Sequence, residues 1–322
     1  MAKFRSLLCH TKLWLVMTLW LALLNPSWAN NVVILLSGQG TSYSELLESL
    51  QVETRKSQTL RSGVGTWGTA SWDSSLSSIS YGTTQLLIAV GSNATRAALE
   101  STDNRIPILC ILLPKSTYEA LLATTKMNSG TRRISAIYLD QPLFRQLDLI
   151  RQALPKSSRL GIVLGPESAR DAERLQILSE ARGLTLTVER AQRDTALYPA
   201  LQRALADTDV LLALPDPYVS NPETAQNVLL TSFRQRVPVI GFSAAYVRAG
   251  ALAAVFSSPA QIGTEAGEIA RQVYRGQVLG AAKYPRYFSV TINRQVANSL
   301  NLSLEDETTL RERLQKLERN DF

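Results

Sequence analysis

The stretch Leu160-Gly161-Ile162-Val163-Leu164-Gly165-Pro166-Glu167-Ser168, continued to Val188, decides the fold. A short apolar run closes in a glycine-proline turn. Ala172, Leu175, Ile177 and Leu178 follow at near-helical spacing, and Gly183 stops that helix. Leu184-Thr185-Leu186-Thr187-Val188 then opens a second strand. Strand, helix and strand in this order form a βαβ unit, and the first strand is apolar enough to be buried on both faces.

The unit recurs on either side. Apolar strands are predicted at Val32–Ser37, Leu86–Val90, Pro107–Leu113 and Ile134–Leu139 before it, and at Val210–Leu214, Val237–Phe242, Ala251–Phe256 and Phe288–Asn293 after it. Helices fall between them. Gln141–Leu154 is amphipathic and stopped by Pro155, Asn221–Gln235 carries Pro222 at its first position, and Pro259–Arg275 is ended by Gly276. This alternation predicts an α/β protein with two Rossmann-like lobes, each on a parallel sheet. Arg61–Thr84 is the hardest part to read. Val64–Trp72 within it is a candidate strand, and Trp67 and Trp72 are expected in the core. The tail from Glu305 reads as a solvated helix with one apolar edge, Leu310, Leu314 and Leu317.

The first 29 residues have another character. Lys3, Arg5 and Lys12 precede an apolar run, Leu13–Leu24, that is short for a membrane span. Ser27-Trp28-Ala29 offers small residues at cleavage-site spacing. A cleaved signal peptide and a periplasmic location are expected, with an uncleaved anchor as second choice. Cleavage takes the formal charge from +7 to about +4. It also removes His10, the sole histidine, and Cys9, leaving Cys110 alone. Ser-His-Asp and Cys-His catalysis and His- or Cys-based zinc sites are thereby excluded. No lysine beyond residue 29 lies three residues after a serine. The remaining basic residues are scattered without interleaved aromatics, which argues against nucleic acid. No enzyme activity, metal or cofactor is expected.

Parallel sheets bind ligands at the carboxyl ends of their strands. The candidate ligand-binding residues are therefore Ser37, Gly38, Gln39 and Ser42; Gly91, Ser92 and Asn93; Glu167 and Ser168 beside Gly165; Asp216 and Tyr218; Phe242 and Ser243; and Ser258 beside Ser257. Short hydroxyls and free N–H groups there can orient a small polar ligand. For any single serine or asparagine, helix capping is the competing role.

Three stretches carry a family likeness. They are Gln146–Ile150 with Leu154-Pro155 and Arg159–Val163; Val237–Gly241 with Gly250–Ala253; and Ile292-Asn293 with Ala297 and Leu300. Gly263, Ala266-Gly267 and Gly276 fit as well. Together they resemble the tryptophan/tyrosine-type ABC transporter substrate-binding proteins over about Val32–Leu302. The resemblance implies the type 1 periplasmic-binding-protein fold, with lobes joined by crossing strands near 136–139, 251–255 and 283–288. It implies a monomer that captures a small-molecule ligand for an ABC permease. The expected division is a signal peptide at 1–29, an N-terminal lobe of 30–138 plus 253–282, a C-terminal lobe of 139–252 plus 283–303, and a charged helix at 304–322.

The sequence departs from the family at two strand ends. Leu112-Leu113-Pro114 stands where the family tends to have Thr-Asp-Pro, and Ser258-Pro259 where it tends to have an Asp-Tyr pair. Two carboxylates suited to a ligand ammonium are absent from those positions. A neutral or anionic ligand is expected, with a periplasmic sensor or assembly accessory as the alternative role.

Overall fold

The computed structural model describes residues 30–55, 66–71, 84–100, 105–124, 133–192 and 197–320. The signal-peptide reading of 1–29 and Trp72 lie outside them.

The first lobe is built on a parallel sheet with strand order β2-β1-β3-β4-β5. Its strands are β1 (Asn30–Leu36), β2 (Thr66–Ser71), β3 (Leu86–Val90), β4 (Ile108–Leu113) and β5 (Ile134–Tyr138). The continuous apolar runs are largely buried, and all five residues of β3 are covered. Helices α1 (Thr41–Arg55), α2 (Ser92–Glu100) and α3 (Lys115–Thr124) follow β1, β3 and β4. Near the end of β4, Leu112 sits in the left-handed region at φ 58°, beside a register shift against β5. That bulge bends the strand end and sets the direction in which α3 leaves it.

The connection from β5 enters the second lobe through α4 (Leu143–Ala153), followed by β6 (Arg159–Leu164), a 3-10 turn (Ser168–Asp171), α5 (Ala172–Glu180) and β7 (Thr185–Arg190). Then come α6 (Leu197–Leu205), β8 (Val210–Leu212), α7 (Pro222–Arg234), β9 (Val239–Gly241), α8 (Ala244–Arg248) and β10 (Ala253–Phe256). After β10 the chain returns to the first lobe as α9 (Pro259–Tyr274). It then comes back as β11 (Ser289–Ile292), α10 (Arg294–Ser299) and α11 (Glu307–Asn320). The second sheet runs β11-β10-β9-β8-β6-β7, with only β11 antiparallel. Each lobe has two apolar clusters, as sheets covered by helices on both faces require.

The division between lobes differs from the expected one in detail. Ala253–Phe256 pairs with β9 and β11, so it belongs to the second sheet, and the return crossing falls at Ser257-Ser258. Lys283, in contrast, extends the first sheet. It bridges Ile137, its N–H donates to Ala136, and its carbonyl accepts from Tyr138 N. The C-terminal helix also differs from a merely solvated one. Leu310 and Leu314 are fully buried in the cluster that contains Leu147, Phe288 and Ile292. An apolar edge with an acceptor face on its own chain docks there, because leaving it in water costs free energy.

The turn before β6 is fixed by Asp209. Its Oδ2 accepts from Ser158 N at 2.9 Å and Arg159 N at 3.0 Å, and its Oδ1 from Arg159 Nη2 at 2.6 Å. The Arg159 hydrogen bond holds its carboxyl well below the usual carboxylate range. A depressed carboxyl stabilises the fold above its unfolded value of about 4 and loses that contribution as pH falls through the folded value. Asp209→Asn is therefore expected to lower the melting temperature by roughly 2–4 °C at pH 7. The gap from the parent should narrow below pH ~4 in thermal melts; a gap independent of pH would contradict this account.

Candidate functional site

The carboxyl ends of β4, β6 and β8 meet the first crossing, Asp140-Gln141-Pro142, around a cleft between the lobes. The cleft has a volume of about 300 Å³. Lys115, Ser116 and Glu119 from α3 line one side. Glu167, Ser168, Arg170, Asp171 and Arg174 from the β6 turn and α5 line the other, and Asp140, Gln146 and Tyr284 close the hinge end. A second hollow of about 530 Å³ shares Ser116, Glu167 and Arg170 and opens toward Arg96 and Thr124.

The α3 side owes its position to a borrowed cap. Pro114 precedes the helix and offers no capping side chain, so Asp140 from the crossing accepts from Lys115 N at 2.5 Å. A carboxylate at a helix N-terminus satisfies an orphan N–H and meets the positive end of the dipole. Behind it, Tyr118, Tyr138 and Tyr284 pack in series, tilted and then edge-to-face, with ring centroids 5.7 Å and 5.2 Å apart. Tyr284 ends this row with its side chain on the cleft and Lys115 Nζ 5.8 Å from its ring centroid.

The β6 side is held from below. Asp216 is buried and accepts four hydrogen bonds: Ser168 N and Oγ on one oxygen at 2.9 Å and 2.8 Å, Tyr218 N and Val219 N on the other at 2.9 Å and 3.3 Å. Those donors occupy the acceptor sites of a carboxylate. Gly165 makes room for it, since a Cβ there would lie 2.2 Å from Asp216 Oδ1. Asp216, expected as a ligand contact, ties two strand-end loops together.

The other predicted residues divide in the same way. Glu167 and Ser168 line the cleft. Ser37 Oγ accepts from Ala94 N at 2.8 Å, and Gly91 holds φ 86° against it. Ser92 and Asn93 open α2, while Gly38, Gln39 and Ser42 lie at the start of α1, outside the cleft lining. Ser243 and Ser258 cap α8 and α9, the latter in a capping box with Gln261. Phe242 packs on Tyr246 at 4.9 Å, and Tyr218 is half-buried beside the same cluster.

Lys115, Asp140, Arg170, Asp171, Arg174, Gln146 and Tyr284 line the cleft without standing out in the sequence. Charges in short turns look like solvated surface until a crossing brings them to one place. Pro142, which ends the crossing, was the available signal for Asp140 and Gln141. In the cleft, burial pushes the carboxyls of Asp140 and Asp171 up from their ordinary values. Arg170 reaches across the mouth to Glu119, 3.2 Å from Nη1 to Oε2. Both partners are exposed, so this latch contributes only about 0–1 kcal/mol to holding the lobes together.

All three crossings are joined beside the cleft. Gln141 Nε2 donates to Ser257 Oγ at 2.9 Å, and Ser257 Oγ donates to the Tyr287 carbonyl at 2.6 Å. Arg145 donates to Gln141 Oε1 at 2.7 Å and to the Pro285 carbonyl at 3.0 Å. Two lobes on three connected crossings, with a charged cleft at their strand ends, define the class of two-lobed α/β proteins whose lobes are joined by a multi-strand hinge.

Comparison with known proteins places the chain within that class. Residues 74–313 match the family described as ABC transporter substrate binding protein, and the chain belongs to it. A tyrosine-binding protein from Clostridioides difficile (strain R20291) is 21% identical over 205 residues, covering 61% of this chain and 56% of that protein. The chain thus spans little more than half the length of that curated relative. Among solved structures, a ligand-free, open substrate-binding protein with adhesive properties from Clostridium difficile matches with a TM-score of 0.70 and 15% identity, over 85% of this chain and 96% of its own. An ABC domain in complex with L-Trp from Streptococcus pneumonia matches with a TM-score of 0.55 and 15% identity, over 87% and 98%. At such identities the structures show the type 1 fold alone.

Proposed function

We propose that this protein is a periplasmic solute receptor that captures a small polar molecule between its lobes and hands it to an ABC permease. The observation that carries the reading is the cleft of about 300 Å³ at the hinge, lined by Lys115 and Arg174 as well as Asp140 and Asp171. A site of this size holds a ligand of amino-acid or monosaccharide dimensions, and side chains of both signs suit one that carries polar groups at both ends. The absence of histidine beyond residue 29 supports binding over catalysis. No helix among the described residues is long and apolar enough to cross a membrane. The accessory role loses one of its motives, because the apolar edge of α11 is buried on its own chain. The departures at Leu113 and Ser258 pointed to a neutral or anionic ligand; Asp140 and Asp171 return carboxylates to the cleft from other positions.

Thermal melts with millimolar L-tyrosine, L-tryptophan and a library of sugars, carboxylates and amines test the reading. A true ligand at a hundred times its Kd adds about 2.7 kcal/mol, expected as a rise of roughly 5–10 °C. A library without one stabilising compound would sink the receptor reading.

A further inference from the structure

Helices α1 and α9 run side by side in the same direction. Gly263 meets Leu46, Gly267 meets Leu50 and Glu53, and Arg271 pairs with Glu53. Their carboxyl ends therefore emerge together, at the pole of the first lobe where Asn30 opens β1. The cleft lies at the other end of this lobe, where β4 finishes. Val52 on α1, Tyr274 on α9 and Val278 just beyond it are 51%, 40% and 64% exposed. They are three of the eight large apolar side chains exposed among the described residues. A single exposed apolar side chain is ordinary, whereas several gathered in one place mark an interaction surface. Arg55 and Arg275 flank them, both exposed and without a side-chain hydrogen bond or ion pair among the described residues. No acidic residue stands between Ile269 and Lys283, and the nearby Glu53 is buried and already paired. An arginine at a helix C-terminus complements the dipole, which accounts for the two charges but not for the apolar side chains beside them.

We propose that this pole docks on an anionic lipid bilayer, with Val52, Tyr274 and Val278 at the boundary of headgroups and acyl chains and Arg55 and Arg275 on the lipid phosphates. Two observations carry the proposal. The first is charge complementarity: aliphatic side chains, a tyrosine ring and unpaired guanidinium groups together are the composition of an interfacial site. The second is where the chain enters. The residues before Asn30 hold the apolar run Leu13–Leu24 behind Lys3, Arg5 and Lys12, which is the pattern of a segment directed to a membrane. That segment joins the fold at the pole that carries the patch. Docking there leaves the cleft uncovered, so a solute can enter while the protein stays at the surface. The inference goes beyond the receptor reading and holds whichever solute is bound.

Co-sedimentation with vesicles tests this, using protein purified from an expressing bacterium with its N-terminus read by mass spectrometry and shared by every variant. Vesicles of phosphatidylcholine alone are compared with vesicles holding about 30% phosphatidylglycerol in about 0.1 M salt. Binding to the anionic vesicles is expected to be at least about tenfold tighter. Arg55→Gln/Arg275→Gln should weaken it by about tenfold or more, and Val52→Ser/Val278→Ser by about fivefold or more. These side chains are exposed, so thermal melts of both variants should match the parent. Leu230→Ser/Phe233→Ser, which removes exposed apolar side chains from the second lobe, is the control and should bind as the parent does. Absence of binding, equal binding to the two vesicles, unchanged binding in either variant of the pole, or an equal loss in the control would overturn the proposal. A dimer in sedimentation velocity without lipid that the same variants abolish would assign the patch to a second copy instead and overturn it as well.

Discussion

Gly263→Leu is expected to destabilise the first lobe by about 3 kcal/mol or more, seen as a fall of roughly 6–12 °C in the melting temperature. Gly263 and Gly267 lie one turn apart on the face of α9 that meets α1. A Cβ on Gly263 would stand 2.3 Å from the Leu46 carbonyl oxygen, and one on Gly267 2.8 Å from Glu53 Cβ and 3.0 Å from the Leu50 carbonyl oxygen. The obstacle at Gly263 is backbone, which cannot rotate away. A side chain there must push two helices apart. It would also open the cluster of Leu46, Leu50, Ile262, Ala266 and Ala270, all buried. Glycine inside a helix costs about 0.5–1 kcal/mol against alanine. Its presence at both positions means that the close approach of the two helices outweighs that cost. The same approach brings Arg271 into an ion pair with buried Glu53. Gly280→Leu is the control, because its Cβ would meet nothing within 4 Å. Equal melting of the two variants would refute the close-packing account.

These two glycines also show what the sequence makes legible. Gly263 and Gly267 stand out within a predicted helix, and local chemistry alone predicts the helix start at Ser258-Pro259. The βαβ order likewise follows from local runs such as Leu86–Val90 and Leu160–Leu164, since a strand buried on both faces has no polar positions to obscure it. Legibility ends where long-range pairing decides. Ala253–Phe256 is apolar enough for either sheet, and only its ladders with β9 and β11 place it in the second. The same holds for the site. Strand-end serines and asparagines were readable as polar groups, but Ser37, Ser243 and Ser258 are used by helix N-termini. Asp216 was readable as a strand-end acid, yet its bonds to Ser168, 48 positions away, turn it into a brace. Asp140, Gln146 and Asp171 share a cleft because β6 brings the turn after it back beside the first crossing. No spacing in the sequence records that.

Glu318→Ala is expected to cost about 3 kcal/mol, while the double variant Arg145→Met/Glu318→Ala recovers part of that loss. Arg145 is 4% exposed, on the inner side of α4. Glu318, near the end of α11, takes Nη2 at 2.8 Å and forms a second, shorter bond to Nε. The guanidinium also stacks 4.1 Å from the Phe288 ring centroid and donates to two of the crossings. Removing the glutamate leaves a buried cation without its counter-charge, a penalty of desolvation rather than the net worth of the pair. Removing both charges exchanges that penalty for lost contacts of a methionine-sized chain on Phe288. The two changes are therefore non-additive, with a coupling of about 1–2 kcal/mol in a double-mutant cycle. The sign of that coupling is the test, read from urea midpoints of the four proteins. Strict additivity would mean that Glu318 is an exposed surface partner and that α11 docks through Leu310 and Leu314 alone. Coupling of the expected sign would make the C-terminal helix a strut on the hinge, bonded through one arginine to two of the crossings that join the lobes.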